Sequence, residues 1–154
     1  MIIVGATLVA GCGYHLQGAL TVPAEMERTY LDPVDEYSLF HRELRRQMQA
    51  AGVELVDAPD HATAILSIQT DDTGQRVLSV SARNVPTEYE VFYTVEYSIA
   101  SGEKVLLSPQ DVTLTRDYTY DTELVLGKAH EESVMREAIA KDLVRIVLRQ
   151  LSSL

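Results

Sequence analysis

The sequence predicts an α/β domain of the α+β kind: a two-layer sandwich in which two helices pack on a mostly antiparallel mixed sheet of about four strands, in the order β-α-β-β-β-α. Three observations lead there. Residues 88–100 alternate between an apolar and a mostly polar set over thirteen positions, which is the period of a strand. Two segments, 38–51 and 129–151, carry apolar side chains at spacings of three and four, which is the period of a helix. Finally, 154 residues with 46% hydrophobic and 23% charged side chains suit a single domain with a real core.

The amino terminus reads as an address. Residues 1–12, MIIVGATLVAGC, hold no charge and have the character of a secretory apolar segment followed by small residues. Val9-Ala10-Gly11-Cys12 matches a bacterial lipobox, so Cys12 is expected to carry lipid after cleavage, with residues 1–11 as signal peptide. Such a signal ordinarily opens with Lys or Arg; this one does not, and translation is inferred to start further upstream. Gly13 stands where an acidic residue would retain a lipoprotein in the inner membrane, which favours the outer membrane. Residues 12–25 form the lipidated cysteine and a linker with Gly13, Gly18 and Pro23, leaving 26–154 as one α/β domain.

Within that domain Met26 to Leu31 reads as a first strand, stopped by Asp32-Pro33. Ser38 is placed to cap a helix running to Ala51, with Phe40, Leu44, Met48 and Ala51 on its apolar stripe. His41, Arg42, Arg45, Arg46 and Gln49 are expected to face water. Gly52 supplies the stop, and 53–60 reads as a short connection. Residues 62–70 form a strand, and 76–83 form either its partner in a hairpin or its continuation beyond a turn at Asp71-Asp72-Thr73-Gly74. The clear strand 88–100 turns at Ser101-Gly102-Glu103 into a second long strand, 104–120, with Pro109 marking an edge or bulge. Its Val112, Leu114, Tyr118 and Tyr120 share one face. The last helix buries Met135, Ile139, Leu143, Ile146, Val147 and either Gln150 or Leu151. Glu131 and Glu132 in its first turn and Arg145 and Arg149 near its end complement the helix dipole.

Chemistry is harder to find. Thirteen Lys and Arg against 23 Asp and Glu give a net charge of −10, which argues against nucleic acid as a partner. One cysteine allows neither an internal disulfide nor a thiolate metal site. His15, His41, His61 and His130 form no ligand pattern: a zinc-protease helix opening at His130-Glu131 would need a second histidine where Val134 stands. No cofactor or metal is expected, and no phosphate-binding loop or nucleophile elbow occurs.

Several stretches, taken in order, do resemble one family. Gly11-Cys12-Gly13-Tyr14-His15-Leu16 with Pro23, then Leu44-Arg45-Arg46-Gln47-Met48 leading to Gly52-Val53-Glu54-Leu55, are similar to the LPS-assembly lipoprotein family LptE. So are Thr87-Glu88-Tyr89, then Arg116-Asp117-Tyr118-Thr119-Tyr120-Asp121 with Val125-Leu126-Gly127-Lys128, and finally Leu148-Arg149-Gln150-Leu151. The resemblance implies a non-enzymatic lipoprotein on the periplasmic leaflet of the outer membrane. It implies a plug inside the β-barrel of the lipopolysaccharide translocon LptD, which helps that barrel assemble and binds lipopolysaccharide on its way to the cell surface. It also implies that basic residues before the long strand and before the last helix meet lipopolysaccharide; the matching positions are Arg83 and Lys128.

The residues are compatible with that. Barrel interiors are polar, so a charged body can be enclosed by one, and Arg or Lys suits the phosphates of lipopolysaccharide. Lys128, expected just ahead of a helix, would also have the helix dipole beside it. Phe92, on an otherwise polar face, and Leu106, against the parity of its neighbours, stand as contact residues, the alternative for Phe92 being to pack on a neighbouring strand. The net charge pulls the other way, since it repels a polyanion at long range, so plugging is given more weight than lipid binding. Two other readings stay open: a lipid-anchored periplasmic adaptor for another envelope protein or lipid, and a lipid-anchored hydrolase with a triad assembled from distant positions.

Overall fold

The computed structural model describes residues 22–119 and 125–154, the side chains of 125–129 excepted. After a 3₁₀ turn at Ala24–Met26, the elements are β1 (Arg28–Pro33), α1 (Leu39–Ala50), β2 (Glu54–Val56), β3 (Ala64–Val80), β4 (Pro86–Ser101), β5 (Lys104–Thr119) and α2 (Val125–Leu151). The five strands form one sheet ordered β2-β1-β3-β4-β5. β1 pairs in parallel with β2 and β3, while β3, β4 and β5 are antiparallel neighbours. The sheet is therefore mixed, and it has one strand more than expected: Glu54–Val56, read from sequence as part of a connection, pairs beside β1 over three residues.

Local chemistry sets the elements. Ser38, extended at ψ 156°, accepts the His41 N–H on its hydroxyl and starts α1. Gly52 at φ +86° ends it, a conformation that costs glycine no Cβ clash. The β4–β5 turn places Gly102 at φ +56°. β3 is one long strand through Asp71-Asp72-Thr73-Gly74, not a hairpin with a turn there. Its seventeen residues span roughly 55 Å at about 3.3 Å each. Pro109 sits where the β4–β5 register slips between Tyr97 and Ile99.

Both helices lie on one face. On β4 the residues Val91, Tyr93, Val95, Tyr97 and Ile99 are all buried, and their even-numbered neighbours are not. Against them pack Phe40, Leu44 and Met48 of α1 and Ile139, Leu143, Val147 and Leu151 of α2. Val144 and Leu148 are buried too, whereas Ile146 is only half-buried, so the stripe of α2 is rotated slightly from the expected one. His41 departs further from expectation: it is 5% exposed, because its ring turns under the helix and its Nδ1 bonds the Glu36 carbonyl at 2.8 Å.

Two tyrosines of β4 tie the layers together. The Tyr97 hydroxyl donates to Gln150 Oε1 at 2.6 Å, and burial pushes its phenol up to about 12. A phenol held above its ordinary value of 10 stabilises the fold fully below pH 10, and that contribution is lost as the pH rises from 10 towards 12. Tyr97→Phe should therefore lose about 1–2 kcal/mol less than the natural protein between pH 8 and pH 11.5. Denaturant unfolding at the two pH values measures this; identical losses would remove Tyr97 from the alkaline transition.

Candidate functional site

Of the two cations singled out by resemblance, Arg83 lies in the turn at the end of the β3–β4 hairpin, and the Lys128 side chain lies outside the described residues. Residues 81–85 join β3 to β4, closed by the Ser81 N–H donating to the Val85 carbonyl at 2.8 Å and by the Asn84 N–H donating to the Ser81 carbonyl at 2.9 Å. Asn84 takes φ 58° there, a conformation asparagine tolerates better than most residues. Arg83 stands exposed in this turn and has no ion pair among the described residues. β5 ends opposite the start of β4, with Glu88 facing Thr119, so the chain re-enters as α2 from the same end. Lys128 is the fourth residue of α2, inside its first turn and not ahead of it as expected. Glu131 and Glu132 are displaced by the same shift into the second turn, where Glu132 holds Arg136 at 2.5 Å. Cys12 and residues 120–124 lie outside the described residues.

Charge is divided unequally between the faces. The helix-free side of β3–β5 carries Asp72, Glu88, Glu90, Glu96, Asp111 and Asp117 with Arg76 as its cation, as the strand registers place them. Arg76 is paired with Glu90. The helical side carries Arg42, Arg45, Arg46, Lys141, Arg145 and Arg149, which outnumber the acids around them. There Glu43 accepts from Arg46 at 2.6 Å and from Gln47 at 2.9 Å. Burial alone would raise that carboxyl, but these bonds and the charges of Arg46 and Lys141 outweigh it and hold it below its ordinary value. The helix-free face of β3–β5 thus carries six acids to one cation.

Phe92 is the apolar exception on that face, and it packs within the sheet. A Cβ on Gly74 of β3 would come within 2.7 Å of the Phe92 ring, so the far end of the ring occupies the space that a side chain there would fill. Leu106 is half-buried and packs against the core. Both residues keep part of their surface exposed.

A polar cluster lies where α1 meets the sheet. Asp71 of β3 accepts the Ser38 hydroxyl at 2.5 Å and the Tyr93 hydroxyl at 2.7 Å, and Tyr93 in turn accepts the Phe40 N–H at 3.1 Å. Burial first, and the Asp71 carboxylate second, drive the Tyr93 phenol far up. Serine, aspartate and histidine are near one another here, but not as a triad: Ser38 donates to the carboxylate, and the His41 ring is bonded to the Glu36 backbone. One groove, of about 260 Å³, runs between α1 and α2 past Arg42, Glu137 and Lys141. Another, about 300 Å³, lies beside Tyr30, His41, Arg45 and Asp57. No serine or cysteine lines either groove. Sequence reading missed Asp71 because it was assigned to a turn.

Fold and surface together define a two-layer α+β domain that presents charged faces and a cation-bearing end. A family described as LptE, lipopolysaccharide-assembly, matches residues 26–151, and the chain belongs to it. The LPS-assembly lipoprotein LptE of Pectobacterium atrosepticum is 29% identical over 147 residues, covering 92% of this chain and 79% of its own length. That of Yersinia enterocolitica is 28% identical, covering 98% and 74%. Among solved structures, lipoprotein B of Nitrosomonas europaea superposes with a TM-score of 0.76 at 27% identity, over 92% of this chain and 91% of its own. The rare lipoprotein B of Shewanella oneidensis gives 0.71 at 26%, over 82% and 94%.

Proposed function

We propose that this protein is a lipid-anchored plug of the outer-membrane barrel LptD, held on the periplasmic leaflet through Cys12, and that it binds lipopolysaccharide at Arg83 and Lys128. Membership in a lipopolysaccharide-assembly family is the observation that carries this reading. Three features of the body support it. A charged, uncovered sheet face suits enclosure by a polar barrel interior. The described chain enters beside the start of β3, where Thr63 N–H bonds Arg28 O at 2.7 Å. Arg83 lies beyond the far end of β3, roughly 50 Å away, so an anchored body points its cation end away from the attachment. Lys128, finally, opposes the dipole of its own helix, a placement that gains nothing for stability.

Gentle extraction followed by pull-down of the full chain should bring down a large β-barrel protein, and a monomer without one would count against the plug. Lys128→Glu should weaken lipopolysaccharide capture about tenfold while leaving the thermal midpoint unchanged or slightly higher, since an acid in a first helical turn is favourable by about 0.3–1 kcal/mol. Unchanged capture would return Lys128 to an ordinary surface charge.

A further inference from the structure

We propose that the end of the β3–β4 hairpin is a seat for acyl chains, so that the protein reads the fatty part of its lipid and not its phosphates alone; this rests on the lipopolysaccharide reading above. The observation is a run of exposed aliphatic side chains around Arg83. Val77 is 47% exposed, Leu78 46%, Val80 53% and Val85 41%. They follow one another around the turn, where the pairing of β3 with β4 slips twice: Val77 faces Tyr89, Ser79 faces Glu88 and Val80 faces Pro86, so Leu78 on β3 and Thr87 on β4 have no partner of their own. Such a bulge breaks alternation and re-aims side chains that a regular strand would send to opposite faces. Val80 and Val85 then flank the turn, Val80 opposite Pro86 and Val85 bonded to Ser81. Elsewhere on these strands the sheet covers its apolar groups, as Phe92 over Gly74 shows.

The chemistry favours a lipid over a protein as occupant. Interface anchors are typically Trp, Tyr and Arg held in shaped pockets, and Val and Leu are under-represented among them. The exposed groups here are short branched aliphatics, not aromatic anchors. They do offer hydrocarbon contact, which needs no fixed shape and scales with the area covered. In the same turn the exposed Arg83 carries a planar guanidinium that suits a phosphate bidentately. Cation and hydrocarbon side by side match a phosphorylated lipid, whose charge and fatty acids are likewise adjacent.

The test uses the full chain and two probes: purified lipopolysaccharide, and the same molecule with its fatty acids removed and its phosphates kept. The natural protein should bind the intact form at least tenfold more tightly. Leu78→Asp with Val80→Asp should reduce that preference to threefold or less without weakening the deacylated probe. Arg83→Glu should weaken both probes alike. Should the double variant fail to fold, Val85→Asp is read in the same way. Equal affinity of the natural protein for both probes overturns the acyl seat while leaving the lipopolysaccharide reading in place. Retained preference in the aspartate variants overturns it too, as does loss of barrel capture with lipid preference intact, which would assign the patch to a protein. Binding of neither probe by the natural protein overturns both readings.

Discussion

Cys12→Ala should transfer the protein almost entirely from the membrane to the soluble fraction. A single acyl chain binds membranes only marginally, and two or more anchor stably at about 0.8 kcal/mol per buried CH₂. Removing every chain at once should therefore shift the membrane-to-soluble ratio by more than about a hundredfold. No helix among the described residues is long and apolar enough to cross a bilayer in its place. The body should stay folded, because the described core, from Met26 to Leu151, draws on the strands of the sheet and both helices. Fractionation in cells depleted of the barrel partner, with circular dichroism of the soluble product, measures both halves of this expectation. If the variant stays on membranes there, or mass spectrometry of the natural product finds a bare thiol, the anchor is lost and with it the location proposed above.

How much of this could be read from the chain depended on regularity. β4 was plain because its alternation runs from Val91 to Ile99 without interruption. β3 was not, and the reason is physical. Its inward residues are Ala64, Leu66 and Ile68, then Asp71, Thr73 and Gln75, because an irregularity between Ile68 and Thr70 shifts the parity from even to odd. A period-two reading loses the strand at that point, and an Asp-Asp-Thr-Gly run reads as a turn. β2 escaped because three residues carry too little pattern; its position follows from the parallel pairing that α1 makes possible. His41 was misplaced for another reason. Helical spacing identifies one stripe, but α1 is covered on a second flank near β1, which only the tertiary arrangement supplies. Of the site, Arg83 and Lys128 were legible only through family resemblance. The turn that holds Arg83 follows from the pairing of β3 with β4, and the exposure of the aliphatic run beside it accompanies a bulge that no composition announces.

Asp71→Ala should be the most damaging single polar substitution among those argued here, with a loss of about 2–4 kcal/mol. The carboxylate accepts two hydroxyl protons, from Ser38 at 2.5 Å and Tyr93 at 2.7 Å. Hydrogen bonds to a charged group contribute about 1.5–3 kcal/mol each, and a buried donor left unpaired adds its own desolvation penalty. Tyr93 is 1% exposed, so water cannot replace its lost acceptor readily; Ser38 is half-buried and recovers part of its loss. For a domain of this size the expected fall in thermal midpoint is about 8–15 °C. Asp71→Asn keeps one acceptor oxygen and should lose about half as much. Tyr93→Phe removes the same bond from the other side, so the double variant Asp71→Ala with Tyr93→Phe should fall short of the sum of the singles by about 1 kcal/mol or more. Barrel capture and lipid binding, read at a temperature where the variant is folded, should be unchanged, because the cluster lies where α1 meets the sheet and far along β3 from Arg83. That pairing of results distinguishes a fastening of α1 from the remains of a hydrolytic centre. A loss below about 0.5 kcal/mol for Asp71→Ala, or a hydrolytic activity abolished by Ser38→Ala, would show that the cluster has another purpose.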